Sequence, residues 1–193
     1  MDIVIASHNK DKIIEIKSIL ADSHFTFSSL LDYPDCPAIV EDGKTYFENT
    51  LKKAKLVSQF TGKTALADDS GLEIPALNCE PGLFSARYAG DKTTYKQNIQ
   101  KVIEKFKKLP ANTSKLAFFK CVIVLVWPNG KTKSSEGICE GEIIFTPRGR
   151  EGFGYDPIFY VPKFKKTFAE LSPQEKNTIS HRSVALRKLA TIS

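Results

Sequence analysis

Apolar residues along this chain fall into short runs whose spacing alternates between strand and helix periods. Ile3 to Ala6 is a continuous apolar run of the kind a buried strand presents. Asn9, a good helix cap, follows, and Ile13, Ile16, Ile19 and Leu20 then recur at helical spacing, so strand, loop and helix open the chain. Phe47, Leu51, Ala54 and Val57 or Ser58 predict a second helix from about Thr45 to Phe60, with Lys52, Lys53 and Lys55 as a basic strip. Thr64 to Leu66 reads as a strand leading into Asp68-Asp69-Ser70-Gly71, and a third helix is predicted from Thr94 to Lys108, before Pro110. Leu116 to Trp127 is apolar and rich in β-branched and aromatic residues. The turn residues Pro128-Asn129-Gly130 and a return from Thr132 to Phe145 make it a hairpin. A strand is expected at Pro157 to Val161. Ser172-Pro173-Gln174-Glu175 then forms a capping box, with proline at the first helical position, that opens a terminal helical region. Helices flanking a mixed sheet place the chain in the α/β class.

Composition narrows this without deciding function. The 193 residues, with no repeat, low-complexity tract or linker, fit one domain over 1–193. An apolar fraction of 41% and a charged fraction of 26% are ordinary globular values and exclude disordered and fibrous classes. The longest apolar run, Cys121 to Trp127, is far below the ~20 residues of a membrane span, and the start of the chain lacks a basic leader, so a cytoplasmic protein with no membrane partner is expected. Cys36, Cys79, Cys121 and Cys139 contain no C-x-x-C pair, which makes reduced thiols the simplest reading. The net charge of +6 suits either a nucleic-acid surface or a site for a polyanionic small molecule, and clusters such as Lys163-Lys165-Lys166 read equally well as a solvated face.

Several segments carry candidate chemistry. Ser7-His8-Asn9-Lys10-Asp11-Lys12 joins the first strand to the first helix, where free N–H groups and the helix dipole favour an anion and Lys12 adds a charge. Asp68 and Asp69 are adjacent carboxylates that repel unless a cation or a proton relieves them. Magnesium fits, with Glu41 or Asp42 supplying a further oxygen, while a solvated turn is the plainer alternative. Gly149, Gly152 and Gly154 surround Phe153-Gly154-Tyr155-Asp156-Pro157, an aromatic and acidic pair suited to stacking a base and gripping its sugar, or simply to packing a loop. On one unbroken helix Lys176 and His181 would diverge by ~140°, so a break at Asn177 to Ser180, with Ser180 recapping, would let them share a ligand.

Together these segments resemble the inosine triphosphate pyrophosphatase family, in its motif order and over essentially the whole chain. The family's T-G-N-x-x-K stands here as Ser7 to Lys12 and its A-D-D-S-G-L as Ala67 to Leu72. Pro81-Gly82, Ser85-Ala86-Arg87-Tyr88, Phe153 to Pro157, Lys176 and Ser180-His181-Arg182 also match. The departure is Ser7-His8 for Thr-Gly, which puts a side chain where backbone normally approaches phosphate. The resemblance implies an elongated bilobed α/β fold with a substrate groove between lobes, usually as a homodimer. It implies Asp69 as catalytic carboxylate and magnesium ligand, Glu41 as a second metal contact with Asp68 a further candidate, and Ser70 on the substrate. The Ser7–Lys12 loop, Lys53 and Arg87 would hold phosphates, and Phe153, Gly154, Tyr155, Asp156, Lys176, His181 and Arg182 the nucleoside.

The expected reaction is hydrolysis of deaminated purine nucleoside triphosphates (ITP, dITP, XTP) to the monophosphate and pyrophosphate, removing them from the nucleotide pool. Asp69 would deprotonate a water that attacks the α-phosphorus, and His181 and Arg182 would donate to a 6-oxo group. The rivals are a phosphatase or pyrophosphatase for other modified nucleotides, and a nucleic-acid-binding module. Asp68-Asp69 and Glu41-Asp42 would repel a phosphate backbone, so no stable nucleic-acid partner is expected.

Overall fold

The computed structural model describes residues 2–191. In chain order the strands are β1 (Asp2–Ile5), β2 (Thr26–Ser29), β3 (Thr64–Ile74), β4 (Glu80–Pro81), β5 (Leu116–Val126), β6 (Thr132–Ile143), β7 (Phe159–Val161) and β8 (Lys166–Thr167). The α-helices are α1 (Lys10–Ile19), α2 (Tyr46–Thr61), α3 (Tyr95–Phe106), α4 (Pro173–Ile179) and α5 (His181–Thr191). The strands hydrogen-bond in the order β2-β1-β3-β5-β6-β7-β8, with β4 on β3, giving the expected α/β architecture of a central mixed sheet flanked by helices. Two compact units share this chain. One comprises Met1–Asp69, Cys121–Gly137 and Arg182–Ser193, and the other Ser70–Lys120 and Ile138–His181.

In the first unit β1 runs parallel to both neighbours, with Ile5 opposite Ser29 of β2 and opposite Leu66 of β3. Alternation along β1 sends Ile3 and Ile5 to one face, where they pack with Ile13 and Ile16 of α1, Leu66, Ile123 and the α5 residues Ala185, Leu186 and Leu189. Asn9 caps α1 as its side chain predicts: its Oδ1 accepts from the backbone N–H of Asp11 at 2.9 Å and of Lys12 at 3.2 Å.

In the second unit β3 and β4, β6 and β7, and β7 and β8 pair antiparallel. Their core joins Leu72 and Ile74 of β3 to Ile99, Val102, Ile103 and Phe106 of α3, and to Phe119, Ile158, Phe159 and Phe168. The Ser172 capping box forms with Pro173 at the helix start, and α4 stops at Ile179. Ser180 then takes an extended ψ of 149°, so the expected break before His181 is present.

Three expectations need correction. The Asp68-Asp69-Ser70-Gly71 motif lies inside β3, which has β5 as its neighbour in the sheet and continues to Ile74, where β4 pairs with Glu73 and Ile74. The predicted strand at Pro157 begins only at Phe159. Asp156–Ile158 is a 3-10 turn, since proline has no N–H to donate and its fixed φ suits a first helical position. The buried side of α2 is Tyr46, Asn49, Thr50, Lys53, Ala54, Val57 and Ser58, whereas Phe47 is 45% exposed. Lys53 therefore faces inward with Asn49 and Val57, one turn to either side, and does not share a strip with Lys52 and Lys55. Among the described residues no helix is long and apolar enough to cross a membrane.

Candidate active site

The first unit builds its site where β1 ends. The Ser7–Lys12 loop leaves the carboxyl end of β1, beside β3, which continues as strand past it. Ala6 donates to the Leu66 carbonyl at 2.8 Å, one residue past the strand, and the chain then enters the Ser7–Lys12 loop. Ser7 Oγ accepts from Asn9 N at 3.1 Å, so short side chains within the loop hold its shape. His8 and Lys10 are exposed, and Asp11 and Lys12 are half-buried in the first turn of α1.

The same register carries Asp68 and Asp69 on β3 past the end of β1, and strand alternation gives them opposite faces. Asp68 is buried against three cationic nitrogens: Arg182 Nη2 at 2.7 Å, Arg182 Nε at 3.2 Å and Lys12 Nζ at 3.2 Å. Arg182, only 1% exposed at the start of α5, also pairs with Glu15 of α1. Burial alone would raise the Asp68 carboxyl, but the charges of Lys12, Arg182 and Lys53 more than offset it and hold the acid well below the usual carboxylate range.

Asp69 has the opposite fate. Its Oδ2 accepts a long 3.4 Å bond from Asn49 Nδ2 of α2. Burial raises its carboxyl and the nearby charges of Glu41 and Asp68 raise it further, with Lys53 and Lys12 compensating only in part. Glu41 meets Lys53 at 2.5 Å. Burial would lower the Lys53 ammonium, but the carboxylates of Asp69, Glu41 and Asp68 raise it overall.

These groups fit a hard divalent cation in one specific way. Asp69 is a half-buried carboxyl whose charge the protein compensates incompletely, and Glu41 acts on it electrostatically. Asp68 is committed to Arg182 and Lys12 and does not suit the ligand role considered for it. Among the described residues no cluster of three His, Cys, Asp or Glu side chains forms a metal cage. Magnesium does not require one, since it keeps waters and binds through one or two carboxylates with substrate phosphates.

The second unit gathers the other motif residues. Gly149, Gly152 and Gly154 all adopt positive φ. At Gly149 the reason is also steric, because a Cβ there would lie 2.1 Å from the Ala169 carbonyl oxygen. The turn places Phe153 N 2.9 Å from Asp156 Oδ2, which also receives Lys176 Nζ at 2.6 Å. Lys176 Nζ lies 5.2 Å from the centre of the Phe153 ring, and Tyr95 packs on the same ring at 6.1 Å. His181 is buried and stacks on Phe119, with ring centroids 4.7 Å apart and planes within 13°, and Phe168 lies beyond at 6.5 Å.

The expected residues thus divide. The Ser7–Lys12 loop, Glu41, Lys53, Asp68, Asp69 and Arg182 come together in the first unit, and Phe153, Asp156 and Lys176 do so in the second. Tyr155 is buried in the core, donating its hydroxyl to the Ser85 carbonyl at 2.8 Å. Ser70 is half-buried on β3, and Arg87 is exposed with its guanidinium 5.3 Å from the Phe84 ring. Arg182, expected to donate to a base, is found on Asp68 and Glu15. Sequence reading passed over Glu15, Asn49 and Phe119. The first two carried a signal, since Glu15 stands three residues from Lys12 and Asn49 four from Lys53, on shared helix faces. Phe119 carried none.

Replacing Arg182 with Met leaves the Asp68 and Glu15 carboxylates without their shared guanidinium. Breaking a buried pair from one side costs about 3–5 kcal/mol, and urea unfolding should show a loss of that size. A loss below about 1 kcal/mol, the scale of an exposed ion pair, would mean that the network is solvated.

The Ham1 family model matches residues 3–192. A dITP/XTP pyrophosphatase from Desulforamulus reducens is 43% identical over 192 residues, covering 100% of this chain and 95% of the relative. The protein of the same description from Coxiella burnetii is 46% identical over 194 residues, covering 100% and 96%. Among solved structures, a HAM1 protein from Coxiella burnetii aligns with a TM-score of 0.88 at 46% identity, over 100% of this chain and 98% of that one. The Staphylococcus aureus Ham1 protein gives 0.85 at 43% identity, over 99% and 97%. Matched from end to end in both sequence and fold, the chain belongs to the Ham1 family.

Proposed function

We propose that this chain is a cytoplasmic, magnesium-dependent pyrophosphatase that hydrolyses the deaminated purine nucleotides ITP, dITP and XTP to the monophosphate and pyrophosphate. The observation that carries the reading is the gathering of Asp69, Glu41 and Lys53 in the same unit as Lys12 and the capped start of α1, carboxylates and cations of the kind a metal-bound polyphosphate needs. The description dITP/XTP pyrophosphatase, borne by relatives 43% and 46% identical, supports the substrate class.

Magnesium, held by Glu41 and Asp69, would supply charge neutralisation on the phosphate oxygens. Asp69 orients a water and takes its proton as the oxygen attacks the α-phosphorus and the bond to the leaving pyrophosphate breaks. The Lys12 and Lys53 ammonium groups offset the charge that builds on the leaving pyrophosphate, with the dipole of α1 adding to them. Asp68 does not react. It keeps the Lys12 ammonium in place from a position that Arg182 fixes. A thiol nucleophile is disfavoured, since Cys121 and Cys139 are buried and burial raises both, Cys139 to about 12.

The nucleoside falls to the second unit's residues. The Phe153 ring offers a stacking face, the Asp156–Lys176 pair polar contacts and His181 a donor for a 6-oxo group, where the amino group of adenine would leave it unmatched. Four cysteines present as thiols support the cytoplasmic assignment. A homodimer, which the family resemblance implies, would have exposed apolar side chains such as Ile14, Phe47 and Phe60 to draw on.

Three measurements test this reading. With magnesium, ITP should yield IMP and pyrophosphate, and a chelator should stop turnover; IDP and orthophosphate as first products would remove the α-phosphorus assignment. Asp69→Asn should lower kcat by ~10² or more, while the unfolding midpoint holds or rises, because burial already favours the neutral group. Activity within a few-fold of the parent would move the base to another carboxylate. Sedimentation should find two-chain particles, and single chains at micromolar concentration would exclude the dimer.

A further inference from the structure

Asn49 has no role in the reaction described above, yet it touches both carboxylate-bearing segments of the first unit. It lies in the first turn of α2 and is 4% exposed. Its Oδ1 accepts from Gly43 N at 2.7 Å, and its Nδ2 donates to Asp69 Oδ2 at 3.4 Å. The orientation of the amide follows from its partners, since a backbone N–H requires the oxygen and a carboxylate requires the nitrogen. Gly43 stands two residues after Glu41, whose carboxylate meets Lys53 one turn further along the same helix face. Asn49 thus holds the backbone of the Glu41 segment, while Lys53 holds its side chain.

Glycine is required at 43 for this approach. A Cβ there would lie 2.7 Å from Asn49 Oδ1 and 2.8 Å from Glu48 Cβ, and the loop has little room to yield. The next residues are pinned to the same helix end, with Lys44 N donating to Glu48 Oε2 at 2.6 Å and Glu48 N to Thr45 Oγ1 at 3.1 Å.

We infer that Asn49 is a positioning residue: through one amide it ties the Glu41 loop to Asp69 and sets the separation of the two carboxylates that would share a divalent cation. The inference rests on the metal reading of these carboxylates. Partners of this kind typically change metal affinity by ~10–100-fold when removed.

The test is manganese binding to the chelator-treated, nucleotide-free protein, with free Mn2+ read by electron paramagnetic resonance and folding checked by circular dichroism. The parent should bind Mn2+, and Asn49→Ala should bind it about tenfold or more weakly. Gly43→Ala breaks the same link from the loop side and should weaken binding comparably, so either variant decides if the other fails to fold. The double variant should be little worse than either single one, since both remove one interaction. Mn2+ affinity within twofold of the parent in a folded single variant, or fully additive losses in the double variant, would overturn the positioning role. A parent that binds no Mn2+ would overturn the metal reading as well, and so separates the two failures.

Discussion

The buried contact between Arg182 and Asp68 is the constraint on which the first unit's geometry turns. It joins residues 114 positions apart, and the second carboxylate on the same guanidinium, Glu15, is 167 positions away. Three segments with no covalent proximity, α1, β3 and the start of α5, are thereby held to one planar group with fixed donor directions. Hydrophobic packing of α1 and α5 on β1 and β3 would tolerate small slides. A guanidinium that donates to Asp68 Oδ2 through two nitrogens and to Glu15 through the third tolerates far less, which suits a network that serves specificity of arrangement more than net stability.

Out of that constraint comes the unequal treatment of two neighbouring acids. Asp68 faces cations and stays charged; Asp69 points to the other side of the strand, where burial and like charge dominate. Two neighbouring carboxyls pushed in opposite directions by their surroundings are chemically distinct, and the proposed reaction draws on that difference by taking Asp69 as the base. Lys12 takes part in both environments, pairing with Asp68 and lowering Asp69, so the phosphate loop and the candidate base are electrostatically coupled before any ligand arrives.

Much of this was legible in the sequence wherever the cause was local. Asn9 as a cap, the Ser172 capping box and the break at Ser180 depend on a few consecutive residues and appear as expected. The motif residues themselves were found, but several of their partners were not. The inward face of Lys53 depends on where carboxylates from other segments gather, and the burial of Arg182 depends on Asp68 and Glu15, distant in sequence. Pro157 misled because an apolar run suggested a strand, while proline's missing donor favoured a turn. The Asp68–Gly71 stretch resembled a loop by composition, and is strand because β3 lies between sheet neighbours supplied by distant segments.

That last feature limits how such a site can change over time. A carboxylate carried on a loop can drift as the loop gains or loses residues, but Asp68 and Asp69 sit in the interior of an eleven-residue strand. Adding or deleting one residue between Leu66 and Asp68 would rotate the pair by one strand position and exchange their faces. After a deletion Asp69 would take the place that faces Arg182, after an insertion Asp68 would lose it, and in either case the side of β3 facing Asn49 would receive a different residue. Descent in this part of the chain is therefore restricted to substitution at constant length.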